Sequence, residues 1–244
     1  MCGRYATSRT PVDLDRAFAA RLGEGADELE ADYNMAPTKP APIVIARARD
    51  DEPPERELLR ARWGLVPSWA KDPKVGNRMI NARAETVAEK PSFKRAFGRR
   101  RALVPADGYY EWYASESPDG PRTKAGKPLK QPFYITPKDR EVMAMAGLYE
   151  FWRASADDAW LITFTIITTT AEDELGHLHD RMPLLVEPDA RDAWLDPSPQ
   201  DPATLLDLLV PAAPGRLDAF PVSREVNDVR NNGPELVLPI DPEA

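Results

Sequence analysis

The 244-residue sequence has one cysteine, two histidines and no run of 18 apolar residues. A single cysteine excludes an internal disulfide framework. No stretch is long enough to cross a membrane as a helix, and no basic-then-apolar leader opens the chain. These absences together predict a cytoplasmic protein in a reducing compartment. Two histidines leave little for a metal centre. His177, His179, Asp180 and Cys2 supply ligand types, but their spacing matches no standard site, so neither metal nor cofactor is expected. Acids outnumber bases by 40 to 32, a net charge of −8, which argues against a protein coated in nucleic acid. A local basic groove is still permitted, because the charge is unevenly spread. There is no internal repeat.

What is present describes a folded chain. Hydrophobic residues make up 42 %, and the length suffices to bury a sizeable core as one large domain or two small ones. The 26 prolines imply many turns and broken elements. Thr10 and Pro11 form a helix start, and Leu14, Phe18 and Leu22 continue as one apolar stripe until Gly23 and Gly25 end it. Segments 43–46, 59–63, 101–105, 108–113, 133–135, 142–149 and 160–169 read as strands, and so do tail segments 220–227 and 236–240. Segments 91–97, 188–195 and 202–209 read as short helices. Residues 114–131 read as a long, mobile hairpin loop.

The chemistry gathers at a few places. Cys2 follows the initiator methionine, and removal of Met1 would place an α-amine and a thiol on one residue. Their reference pKa values, about 7.7–8.0 and about 8.5, leave each partly nucleophilic near neutral pH. Such a pair condenses with an aldehyde, first to an imine and then to a thiazolidine ring. On position alone, Cys2 also reads as an incidental residue on a frayed end. Trp69 ends a loop and serves either packing or base stacking. Asn81 and Arg83 share a face if their segment is extended and suit an anionic, hydroxyl-bearing ligand; an Asn satisfying a turn is the plainer reading. The run from Arg99 to Arg101 is the strongest phosphate-binding feature by composition, although charge runs commonly form solvated faces. Alternation places Tyr109, Glu111 and Tyr113 on one strand face. A carboxylate held among aromatics would have a raised pKa, as a general acid needs; an exposed strand Glu is the alternative. Both histidines lie in 176–183, where one suits proton transfer.

Seven blocks in order carry a resemblance over nearly the whole chain. They are Met1-Cys2-Gly3-Arg4-Tyr5, Tyr33-Asn34-Met35-Ala36-Pro37, Trp63-Gly64-Leu65-Val66-Pro67, Ile80-Asn81-Ala82-Arg83-Ala84-Glu85-Thr86, Pro105-Ala106-Asp107-Gly108-Tyr109-Tyr110-Glu111-Trp112, His179-Asp180-Arg181-Met182-Pro183, and Pro221-Val222-Ser223 with Val226-Asn227. With these the chain resembles the SOS-response-associated peptidase family of abasic-site processing proteins. The resemblance implies a single α+β domain over 1–244, with a curved, barrel-like, mostly antiparallel β core flanked by short helices. It implies a monomer that binds single-stranded DNA containing abasic sites and is nucleoid-associated when bound. Cys2 would form the covalent thiazolidine link, Asn81 would position the sugar or the amine, Glu111 would act as acid and base, and His179 would assist ring opening and reversal. Arg4 and Arg83 would hold phosphates, and Pro37 and Trp69 would form a wedge and stacking surface. The family often has a second Trp where this chain has Ala70. His177 receives no role. Strand cleavage through the imine is a possible second outcome of the same chemistry, and a thiol (auto)peptidase built on Cys2 and His179 is the alternative function.

Overall fold

The computed structural model of the protein describes residues 2–49, 52–114, 122–123, 125–171 and 174–241. The strands in chain order are β1 (Tyr5–Thr7), β2 (Arg21–Leu22), β3 (Asp32–Met35), β4 (Pro40–Arg49), β5 (Glu52–Trp63), β6 (Asn81–Arg83) and β7 (Arg101–Ala106). They continue as β8 (Gly108–Ala114), β9 (Lys130–Pro137), β10 (Met143–Trp152), β11 (Leu161–Thr170), β12 (Arg181–Pro183) and β13 (Leu217–Pro221). Among the described residues, four short α-helices accompany them: α1 (Pro11–Phe18), α2 (Lys94–Arg99), α3 (Arg191–Leu195) and α4 (Pro202–Leu206).

The larger sheet runs β12-β11-β10-β7-β4-β5-β2, with β6 paired to β11. β11 also pairs in parallel with β5, Thr163 opposite Arg62 and Phe164 opposite Trp63, so the sheet returns on itself as a ring. The smaller sheet runs β13-β9-β8-β1-β3. This is a mixed α+β, sheet-dominated fold in which most pairings are antiparallel. Alternation along the ring strands divides the core in two. Ile43, Ile45, Leu59, Trp63, Val104, Met145 and Phe164 join one cluster, which also takes Cys2, Tyr5 and Tyr109 from the smaller sheet. Val44, Leu58, Leu103 and Ala146 point the other way, onto Leu14 and Phe18 of α1, Phe97 of α2, Trp194 of α3 and Leu205 of α4. The helices therefore cover one face of the ring wall, while the other face receives the start of the chain.

Several boundaries differ from the sequence expectation for identifiable reasons. Thr10 does cap α1, its hydroxyl accepting from the Asp13 N–H at 3.2 Å. The helix nevertheless stops at Phe18, where Ala19 turns left-handed (φ 48°). Leu22 is consequently 43 % exposed and lies in β2, which lengthens the β5 edge. Segment 236–240 is not a strand. Pro234 starts a 3-10 turn over Pro234–Val237, and an isolated bridge, Val222 to Pro239, pairs the segment with the residue after β13. Of the expected loop 114–131, residues 115–121 and 124 lie outside the described residues, and Lys130 already belongs to β9.

Candidate active site

Strand pairing decides where Cys2 goes. β1 is held between two partners, Tyr5 opposite Tyr109 of β8 and opposite Met35 of β3. The Tyr110 N–H donates to the Arg4 carbonyl at 2.9 Å, which extends the β8 ladder toward the chain start. Cys2 is thereby drawn alongside the Glu111 segment and has no solvent exposure. Tyr5 fixes the base of this strand, packing edge-on to Trp63 at 5.1 Å between ring centroids. Trp63 in turn donates its indole N–H to the Ile80 carbonyl at 2.9 Å, just ahead of β6.

β6 supplies Asn81. Its parallel pairing with β11, Asn81 opposite Ile166, places Asn81 and Arg83 on one face. The Asn81 Nδ2 donates to the Cys2 carbonyl at 2.7 Å. Its Oδ1 is buried and makes no hydrogen bond among the described residues. Buried acceptors are ordinarily satisfied, so this oxygen has the capacity to take a donor.

Glu111 is only 5 % exposed, among the aromatic side chains of β8 and β9. Burial pushes its carboxyl up to about 7, with the positive chain terminus acting against that rise. Burial also pushes the Cys2 thiol well above the ordinary range, and the nearby Glu111 carboxylate adds to the effect. A narrow cleft lined by Tyr109, Glu111, Ile135, Leu178, His179, Arg181 and Met182 connects Glu111 to His179. The Nδ1 of His179 accepts from the Arg181 N–H at 3.0 Å, so the proton of the neutral ring resides on Nε2. The Asp180 carboxylate also lies 2.8 Å from Nδ1, but it is exposed and cannot accept from a nitrogen already acting as acceptor. Burial first of all lowers the His179 pKa, keeping the imidazole neutral around pH 7.

The model of the SOS response associated peptidase (SRAP) family matches residues 1–229. The chain belongs to that family. Among its relatives, abasic site processing protein YoqW of Bacillus subtilis is 38 % identical over 239 residues, covering 97 % of this chain and 99 % of that protein. Abasic site processing protein HMCES of Xenopus tropicalis is 31 % identical over 276 residues, covering 98 % and 78 %. Among solved structures, a protein from Bacteroides thetaiotaomicron superposes with a TM-score of 0.79 at 26 % identity, covering 98 % of this chain and all of that one.

The remaining residues singled out from the SRAP resemblance are in different states. Arg83 is exposed at the end of β6. Arg4 is engaged: one Nη donates to the Asn34 Oδ1 at 2.5 Å and to the Val226 carbonyl at 2.8 Å, and the guanidinium lies over Trp112 at 5.7 Å. Asn34, fully buried, donates to the carbonyls of Val226, Asp228 and Asn231. Arg4 and Asn34 therefore tie the chain start to the tail. Pro37 is half-buried between β3 and β4. Trp69 is 62 % exposed on a loop whose Ala70 carbonyl accepts from the Trp152 indole at 2.8 Å. His177 packs edge-on against Tyr113.

The run from Arg99 to Arg101 is not one phosphate-binding unit. Arg101 is buried and donates to the carbonyls of Trp194 at 2.7 Å, Phe97 at 2.9 Å and Asp196. Arg100 pairs with the buried Glu150 carboxylate. Only Arg99 is left on the surface. Sequence reasoning did not single out Arg181 and Glu85. Arg181 forks onto Glu85 at 2.6 and 3.0 Å and donates to the Thr168 carbonyl, pinning the His179 segment to the Asn81 segment. The signal was present: the two charges occupy two of the blocks that carry the resemblance. Among the described residues, no group of three or more His, Cys, Asp or Glu is placed to hold a metal.

Proposed function

We propose that this chain processes abasic sites in single-stranded DNA by covalent capture at Cys2 after removal of Met1. The names of its relatives support an action on abasic sites. The observation that carries the chemistry is the seating of Cys2 at 0 % exposure, held by Asn81 through its own carbonyl and facing a carboxyl poised near neutral pH.

The ring-opened abasic sugar presents an aldehyde. The free Cys2 amine attacks its carbon, and the amine proton passes to the oxygen, giving a carbinolamine. Protonated Glu111 gives its proton to the departing hydroxyl, so water leaves and an iminium forms. The thiol sulfur then adds to the iminium carbon, its proton returning to the Glu111 carboxylate. The product is a neutral thiazolidine and a regenerated acid. Asn81 Oδ1 accepts from the amine or a sugar hydroxyl, and neutral His179 moves a proton during sugar ring opening and reversal. Arg4 and Arg83 serve the phosphates beside the lesion, with Pro37 and Trp69 against the bases. Loss of the 3′ phosphate from the imine would give lyase products.

The test is a denaturing gel with intact-mass analysis on mature protein and a single-stranded oligonucleotide bearing one abasic site. A protein–DNA adduct lighter than the sum by one water, retained by wild type and absent from Cys2→Ser as a heat-stable species, is expected. A heat-stable adduct formed by Cys2→Ser would refute the thiazolidine. Peptide hydrolysis in place of adduct formation would move the assignment to the thiol peptidase reading.

A further inference from the structure

One end of the ring opens onto a second groove, away from Cys2. It encloses about 960 Å³, and its lining includes Arg95, Arg100, Tyr149, Phe151, Arg153 and Trp160. Its wall combines β4 and β10 with Arg100 and Trp160 just ahead of β7 and β11, Arg95 of α2 and the loop residues Ser68 and Arg153 to Ala156. Its charges are unequal in availability. Arg100 is taken by Glu150, and Arg47, also at the rim, is shared with Glu57 at 3.2 Å. Among the described residues, no salt bridge is made by Arg95 or Arg153, while Glu24 also lines the groove and the charge of Arg95 acts on the Glu150 carboxyl. Arg95 reaches only the Ser68 hydroxyl at 3.4 Å. Arg153 donates to the Ala156 carbonyl at 2.7 Å and lies over the Trp160 ring at 4.3 Å, and Trp160 is 52 % exposed. Exposed cations beside the exposed Trp160 ring and the half-buried Phe151 ring suit a single strand, with phosphates on the cations and a base on a ring.

Position connects this groove to the candidate active site. The Trp69 loop is bonded to groove residues at two points, through Trp152 and through Arg95. Along β11, Asn81 pairs at Ile166 and the groove begins beside Leu161. That interval is about 17 Å at about 3.3 Å per residue, or about five nucleotides at about 3.4 Å per stacked step. We propose that this groove is a distal subsite that binds the nucleotides of the same DNA strand lying beyond Trp69, as seen from the residue captured at Cys2. The inference rests on the DNA reading above. It assigns Arg95, Arg153 and Trp160 to affinity and strand path, with no part in the covalent step.

The experiment uses mature full-length protein, intact single-stranded oligonucleotides of about 5 to 20 nucleotides bracketing the interval above, and anisotropy at two salt concentrations. The same lengths with one abasic residue are scored for adduct formation. Wild type should gain affinity with length. The double variant Arg153→Ala/Trp160→Ala should bind the longest strand about ten-fold more weakly, from the lost stacking and phosphate contact, with a shallower salt dependence. It should capture the shortest abasic strand at the wild-type rate. Arg95→Glu should reproduce the loss without removing an aromatic contact. Failure of wild type to form any adduct would instead strike the capture reading. Normal capture with unchanged length dependence in both variants would overturn the subsite. Saturable quenching of Trp160 by a deoxynucleoside monophosphate, with no gain from strand length, would also overturn it by making the groove a mononucleotide pocket.

Discussion

Replacing Glu111 by Gln separates what burial does to stability from what it does to chemistry. The carboxyl is raised from 4.5 to about 7 by burial. Because the folded pKa lies above the unfolded one, the stability associated with this group is fully present below about pH 4.5 and is lost as pH rises through about 7. A rise of that size, at about 1.36 kcal/mol per unit, sets a ceiling of about 3 kcal/mol on the penalty carried by wild type in mild alkali. Gln keeps the shape and cannot ionise. Urea unfolding at about pH 8 should therefore show Glu111→Gln more stable than wild type by about 1–3 kcal/mol, the gap closing toward about pH 4.5. Adduct formation should move the opposite way, slowed about 10²–10⁴-fold by loss of the proton donor. In wild type the rate should decline above about pH 7 as the acid form disappears, and the variant should lack that decline. A variant equally stable at both pH values, or less stable only at the higher one, would refute the claim that Glu111 is held near neutrality by burial.

Asn81→Ala removes the clasp on the Cys2 carbonyl and should slow capture by about 10²-fold through misplacement, with an unchanged melting temperature as the check on folding. Arg101→Met takes the donor from two buried carbonyls and one half-buried one and should cost about 3–5 kcal/mol in urea unfolding. Gly64→Ala forces a side chain onto φ +122° with its Cβ 2.6 Å from the Gly76 carbonyl oxygen. It should cost about 2 kcal/mol or more and weaken binding of intact single strands by displacing the Trp69 loop. Double-variant analysis of Arg181→Ala and Glu85→Ala should return a coupling of about 0.5–3 kcal/mol, because they form a two-point pair.

Local patterns in the sequence marked much of what the fold uses. The period of two over 109–113 separates Tyr109 and Tyr113, in the main core, from Tyr110 and Trp112, which pack with the tail. The sequence left the short β6 conditional, with Asn81 and Arg83 sharing a face only if the segment is extended, which it is. Contacts between distant segments were not. Ring closure depends on the parallel pairing of β5 with β11, which no local period encodes. The run from Arg99 to Arg101 looks uniform in sequence, yet the β7 register turns Arg101 inward to three carbonyls while its neighbour meets Glu150. Likewise Asn34 and Arg4 were visible as motif residues, but their joint grip on Val226 needed the tail to be seen folding back. Charge type could be read along the chain; charge partners required the third dimension.

The same burial that raises Glu111 also fixes an order on the proposed chemistry. The Cys2 thiol is pushed far above its ordinary range, so at neutral pH it is a protonated, weak nucleophile. An α-amine at an ordinary value of about 8 is available as free base well before the thiol ionises. The amine must therefore meet the aldehyde first. Glu111 that starts in its acid form becomes a carboxylate once it has protonated the departing hydroxyl, and that carboxylate is the base that takes the thiol proton. Thiolate is thus produced beside an iminium carbon and at no earlier stage, which shields a lone, otherwise oxidisable cysteine until a lesion is in place. An alkylating reagent offers the corresponding measurement: Cys2 in the resting mature protein should react more slowly than a free thiol at about pH 8.5, where a free thiol is half ionised. Labelling at the free-thiol rate would show the thiol to be ionised already and would remove the basis for an amine-first order.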